Sequence, residues 1–168
     1  MIYQQFTDEG VHREHSPDYH MMVYNTLRCM IDTNLVRCSE LILFANKIES
    51  VLSWFVPPRA HLVNIGDTDN RLVFRFMKEA KRKWKTPEMR YVSTSGMTGV
   101  LHGNVVAHFP KSGYFVVRKP SIEDPKDFTD SSYLVQSAAF HSRTHKHADD
   151  LSFIWCDRGA DILTDSGR

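Results

Sequence analysis

A strong charge of either sign is missing from this chain: Lys and Arg number 21, Asp and Glu 20, and the formal net charge is +1. No bulk electrostatic argument therefore favours nucleic acid or an anionic membrane surface as a partner. Cysteine is scarce as well. Cys29, Cys38 and Cys156 are an odd three, which is not the count of a disulfide framework, and three free, mostly buried thiols are expected. No apolar run reaches the length of a membrane span. The first residues lack the basic and apolar regions of a signal peptide, which says nothing of export if the chain is a piece of a longer one. Internal repeats and low-complexity tracts are also missing.

What is present fits a soluble globular protein of one domain or the junction of two, with 168 residues, 42% hydrophobic and 24% charged. The first half reads as helical. Ser16 before Pro17 is an N-cap followed by proline at the first helical position. Met21, Tyr24, Leu27, Met30 and Ile31 then recur at helical spacing. A second helix is predicted from Ser39 through Phe55, ended by Pro57 and Pro58. A third, capped by Asp67 or Asp69, carries Leu72, Val73, Phe76, Met77, Ala80 and Trp84 on one face. Lys81, Arg82, Lys83 and Lys85 sit in its last turns, where cations suit the helix dipole.

Residues 86–104, with Gly96, Gly99 and Gly103, read as a linker or loop region. Beyond them the period changes to that of strands. Val105–Phe109 and Tyr114–Arg118 flank a Pro110–Gly113 turn, Tyr133–His141 is another strand, and Leu151–Trp155 and Asp161–Thr164 form a hairpin around Cys156–Gly159. Helices first and antiparallel strands afterwards predict an α+β chain in two segregated layers or domains, divided near residues 86–104. Both ends are expected to be cut. The final residues run from a strand into a turn and stop, leaving backbone groups without a next strand.

Two stretches concentrate chemistry. In His141–Asp150, His145 and His147 share one face if the backbone is a strand. Asp149 continues that face, and Asp165 is expected to approach from the neighbouring strand. Two imidazoles and carboxylates on one patch are donors that Zn²⁺ takes, though an exposed polar strand end shows the same residues. The pattern also brings to mind the His-x-His-x-Asp-His of metal-dependent hydrolases, but it breaks at Asp150. The other stretch, Asp8–His20, is dense in titratable groups. Tyr19 and His20 fall in the first helical turn, where the positive end of the dipole helps hold a phenolate or an anionic substrate. Alternatively, Tyr19 packs while its hydroxyl finds a partner.

Taken together, the stretches narrow the choice. Glu14-His15-Ser16-Pro17-Asp18-Tyr19-His20 resembles the Glu-x-Ser-Pro-x-Tyr-His signature of heparinase II/III-like polysaccharide lyases. His145-Lys146-His147-Ala148-Asp149 with Asp165-Ser166-Gly167 resembles their His-x-His-x-Asp … Asp-Ser-Gly signature. Ile65-Gly66-Asp67 is similar to the loop between their last helices, and Pro110–Arg118 to their opening strands. The resemblance implies the C-terminal helices of an incomplete (α/α) toroid over residues 1–90, followed over 91–168 by the first strands of an antiparallel β-sandwich. It implies β-elimination on an acidic, uronic-acid-containing polysaccharide, with Tyr19 and His145 catalytic and Glu14, His20 and Arg143 at the substrate. His147 and Asp165 would be ligands of a structural zinc, whose third protein ligand lies beyond the C-terminal end. Arg13, Arg143 and His145 are the cations that would ease ionisation of Tyr19. The parent protein would be periplasmic or secreted, and the remainder of its chain would complete the site. A non-catalytic carbohydrate-binding relative and a metal-dependent hydrolase are the alternatives.

Overall fold

The computed structural model describes residues 2–69, 71–73, 83–121, 124, 127–141, 143, 146–148 and 150–165. Helix α1 spans Pro17–Asp32 and starts where the cap requires: Ser16 is extended (φ −134°, ψ 121°) and its side chain accepts from the Tyr19 N–H. Its buried face is Met21, Tyr24, Leu27 and Ile31, at the spacing of a helix with one wet side. Helix α2, Ser39–Leu52, packs Ala45, Ile48 and Leu52 against α1 and then tightens into a 3-10 turn at Ser53–Phe55. The predicted second helix thus ends three residues early, where Arg118 takes the Ser53 and Val56 carbonyls at 2.9 and 2.8 Å.

The predicted third helix falls largely outside the described residues. Around it, Leu72 forms a single antiparallel bridge with His61, and Trp84 stacks on Tyr24 with centroids 5.6 Å apart. Helix α3, Pro87–Ser93, lies in the stretch read as a linker. The buried carboxylate of Glu49 starts it, accepting from the N–H groups of Lys85 and Thr86 at 2.7 Å each and from the Thr86 hydroxyl at 2.9 Å. Its other oxygen takes the Tyr24 hydroxyl. Seven residues are too few to show a period, yet Met89 and Val92 complete the helical core.

Strands β1 (Val106–Phe109), β2 (Tyr114–Lys119), β3 (Ser132–Ser137), β4 (Phe153–Asp157) and β5 (Ala160–Leu163) form one antiparallel meander in sequence order. The order of elements is therefore α+β, as predicted. Alternation turns Tyr114, Val116, Tyr133, Val135, Ile154 and Cys156 inward, onto Val11, Trp54, Phe55, Val63 and Ile65. Helical half and sheet so share a second core. Burying each large apolar side chain there is worth about 1.5–3 kcal/mol, enough to hold the two layers as a packed junction. β3 stops at Ser137 rather than His141, although the Ala138 N–H still bonds the Gly113 carbonyl at 2.7 Å, one further step of the β2–β3 register. Gly113 (φ +75°) allows this: a Cβ there would lie 2.5 Å from the Ala139 Cα.

Arg118 is the charged residue on the inward face, 2% exposed. Its guanidinium sits over the rings of Trp54, Tyr133 and Phe128 at 5.2, 5.4 and 5.7 Å. Burial lowers its pKa to about 10. Tyr133 adds a hydrogen bond to the Trp54 carbonyl at 2.8 Å. His102 stacks on Trp54 and pairs with the Ser53 hydroxyl at 2.7 Å. The C-terminal end of α2 is thus capped by the sheet, since orphan helix carbonyls need donors.

Candidate active site at the seam between helices and sheet

The residues before α1 are pinned to the β1–β2 turn. Glu9 accepts from the Ser112 N–H at 2.8 Å, the Ser112 hydroxyl at 2.5 Å and the Lys111 N–H at 3.2 Å. The Thr7 and Ser112 hydroxyls meet at 2.7 Å. Every one of these polar groups is thereby paired across the seam, as burial demands.

Tyr19 follows from the cap. Its N–H bonds Ser16 Oγ at 3.3 Å, and its hydroxyl donates to Asp67 Oδ2 at 3.1 Å. Ser16 Oγ donates to the Asp67 carbonyl at 2.8 Å. That uses its single proton, so Thr68 is the donor in the 2.9 Å contact between the two hydroxyls. Gly66 lets the loop approach: with φ +58°, a Cβ there would stand 2.3 Å from the His15 carbonyl oxygen. Tyr19 and Asp67 line a cleft of about 370 Å³ with Asp18, Met22, Asn25, Thr26 and Arg71. Arg71 bridges Asp18 at 3.4 Å and Asp69 at 2.8 Å.

Of the other site residues expected from sequence, Glu14 is half-buried and its N–H donates to His12 Nδ1 at 3.4 Å. Arg13 is spent on structure, its Nε donating to the Phe6 carbonyl at 3.0 Å. His20, expected at the substrate, is in the core instead. It is 1% exposed, and its Nε2 donates to the Ile48 carbonyl at 2.8 Å. Burial first, then His12, pull its pKa down to about 3, against the opposing hydrogen bond to Ile48. Arg143 is exposed. His145 and Asp149 lie outside the described residues.

Lys146 and His147 are not in a strand, so the strand expected to carry His147 is not formed there. Asp165 lines a second cleft, of about 250 Å³, with Arg59, His61, Asn64, Asp161 and Thr164. Among the described residues, no group of three or more His, Cys, Asp or Glu side chains is gathered as a metal site would require.

Two contacts escaped the sequence reading. Asp67 was legible as a helix cap and as part of a family-like loop, not as the acceptor of Tyr19. His15 and His141 meet: the His141 N–H donates to His15 Nε2 at 3.2 Å, and the rings stack at 5.3 Å and 5°. They are 126 positions apart, and no periodicity carries such a pairing.

Residues 102–168 match the family model described as heparinase II/III-like, C-terminal. No curated protein matches the chain in sequence. Among solved structures it resembles a heparinase III with a TM-score of 0.79 at 22% identity, 99% of this chain covering 27% of that one. Another heparinase III gives 0.77 at 18%, with 99% and 29% covered. A heparan sulfate lyase from Pedobacter heparinus gives 0.73 at 16%, with 99% and 27% covered. The chain thus spans less than a third of the length of these structures. Residues 102–168 are therefore similar to the heparinase II/III-like C-terminal family, and the whole chain has a fold similar to that of heparinase III.

Proposed function

We propose that this chain is part of a polysaccharide lyase that cleaves an acidic, uronic-acid-containing polymer by β-elimination. The observation that carries the reading is the Tyr19 phenol, held by Asp67 on the wall of a cleft at the start of a helix. Its support is the similarity to heparinases and a heparan sulfate lyase.

The chemistry sets the demands. The C5 proton of a uronic acid is hard to remove because the adjacent carboxylate is already negative, so that carboxylate must be neutralised by positioned groups. A base then takes the C5 proton, and an acid protonates the O4 leaving group. In our reading Tyr19 is the acid, and also the base, with Asp67 fixing the direction of its O–H. His145 is its partner from the sheet side, and Glu14 and Arg143 contact substrate. The carboxylate-neutralising group comes from the remainder of the protein. Residues 1–90 act as the toroid portion and 91–168 as the sandwich portion, in a protein working in the periplasm or outside the cell.

Zinc is a further part of the proposal. His147 and Asp165 are half-buried and of the right donor types. Two donors do not complete a site, so the ion requires a third protein ligand from outside this chain, and its part is to stiffen the sheet edge.

The test is incubation of the full-length protein with several uronic-acid polymers, reading the C4–C5 unsaturated product by its ultraviolet absorbance. Tyr19→Phe should lower the rate by about 10²–10⁴-fold. Wild-type rates in that variant, or chelator-sensitive hydrolysis without unsaturated product, would overturn the reading.

A further inference from the structure

The contact between His15 and His141 joins the two halves of the proposed site, and it deepens the lyase reading on which it rests. We propose that His15 is a positioning residue: as a neutral imidazole with an unprotonated Nε2, it tethers the chain at His141 and so sets where the following stretch, with His145, begins relative to Tyr19.

The geometry supports this in three ways. First, the bond fixes the protonation state. A backbone N–H only donates, so His15 Nε2 must accept, and the ring proton sits on Nδ1. The parallel stacking agrees, since two imidazolium rings 5.3 Å apart would repel.

Second, the His15 backbone is committed to this contact. It has φ +61° and is 3% exposed, directly before the N-cap of α1. A non-glycine residue with such φ is uncommon, and histidine is among those that tolerate it. The missing Cβ of Gly66 leaves room for its carbonyl. Such held conformations gather where a structure over-determines a residue for a purpose.

Third, the tether is anchored at both ends. The His141 Nε2 also meets the Ser112 carbonyl at 3.3 Å, on the turn that Glu9 and Thr7 hold. His15 precedes Tyr19 by four residues and His141 precedes His145 by four. Four residues span at most about 14 Å, so the tether is a short length of chain from Tyr19 on one side and from the stretch that carries His145 on the other.

The experiment uses the full-length protein and the variants His15→Phe, which can stack but not accept, and His15→Gln, which can accept. Hydrogen exchange at the His141 amide and ¹⁵N shifts of the His15 ring are read alongside lyase kinetics. His141 should exchange at least about tenfold faster in His15→Phe, and kcat should fall by about 10–100-fold with KM changed little, as expected of a misplaced catalytic group. His15→Gln should restore most of both. A ring proton on Nε2, unchanged exchange in His15→Phe, or faster exchange with unchanged kcat would each overturn the proposal. Absence of turnover in the wild type would instead overturn the lyase reading, while the amide measurement still decides the tether.

Discussion

The hydroxyl of Tyr19 donates to Oδ2 of Asp67 at 3.1 Å, a residue 48 positions further along the chain. The phenol is therefore aimed by a loop rather than by its own helix. Ser16 holds that loop through the Asp67 backbone carbonyl, not its side chain. Asp67→Ala should leave the fold in place while freeing the phenol, and kcat should drop by about 10²-fold, the cost of roughly 1 Å of misplacement. Unchanged kcat with unchanged stability would remove Asp67 from the site.

Acid should destabilise the protein through His20. Its folded pKa is about 3 against an ordinary 6.5, so the unfolded chain binds the proton more readily. The stabilising contribution is complete above about 6.5 and is lost as pH falls toward about 3. One proton corresponds to about 1.4 kcal/mol per pH unit across that window. Urea unfolding at several pH values should show this slope, and His20→Gln, which keeps a donor for Ile48, should remove it. A slope that persists in the variant would place the acid sensitivity elsewhere.

Arg118 sets two effects against each other. Burying a guanidinium is costly, and its Nε and Nη1 have no hydrogen-bond partner among the described residues. Against that, it satisfies the Ser53 and Val56 carbonyls, and leaving such acceptors bare costs about 1–3 kcal/mol each. The carbonyls together with the three ring contacts should win, so Arg118→Met is expected to lose about 2–4 kcal/mol in urea unfolding. A stabilised variant would show that the charge costs more than it returns.

The three thiols should differ in reactivity. Cys29 and Cys38 are half-buried, and Cys156 is buried. Burial, and then its hydrogen bond to Asp161, push the Cys156 thiol up to about 12. Reaction needs the thiolate, so a thiol reagent at mildly alkaline pH should modify Cys29 and Cys38 well before Cys156. Three equal rates in the native protein would contradict the packing around β4.

How much of this was legible follows from what each residue interacts with. Ser16-Pro17 announced α1 because a cap is a local event, and the change to strand period announced β2 and β3. Helix α3 was hidden because Glu49, from another helix, starts it. Tyr19 stood out by motif, but its acceptor did not, and His20 looked reactive while its ring belongs to the core. The three thiols were expected to be free and mostly buried; all are free, and Cys156 is the buried one.

The core shared by the helical half and the sheet bears on how the protein can be dissected. A polypeptide trimmed to the family match, residues 102–168, would turn Tyr114, Val116, Tyr133, Val135 and Ile154 toward water and leave Arg118 without its carbonyls. The segment that matches the family model is therefore smaller than the unit that shares this core, and an expression boundary drawn at residue 102 should expose apolar sheet surface.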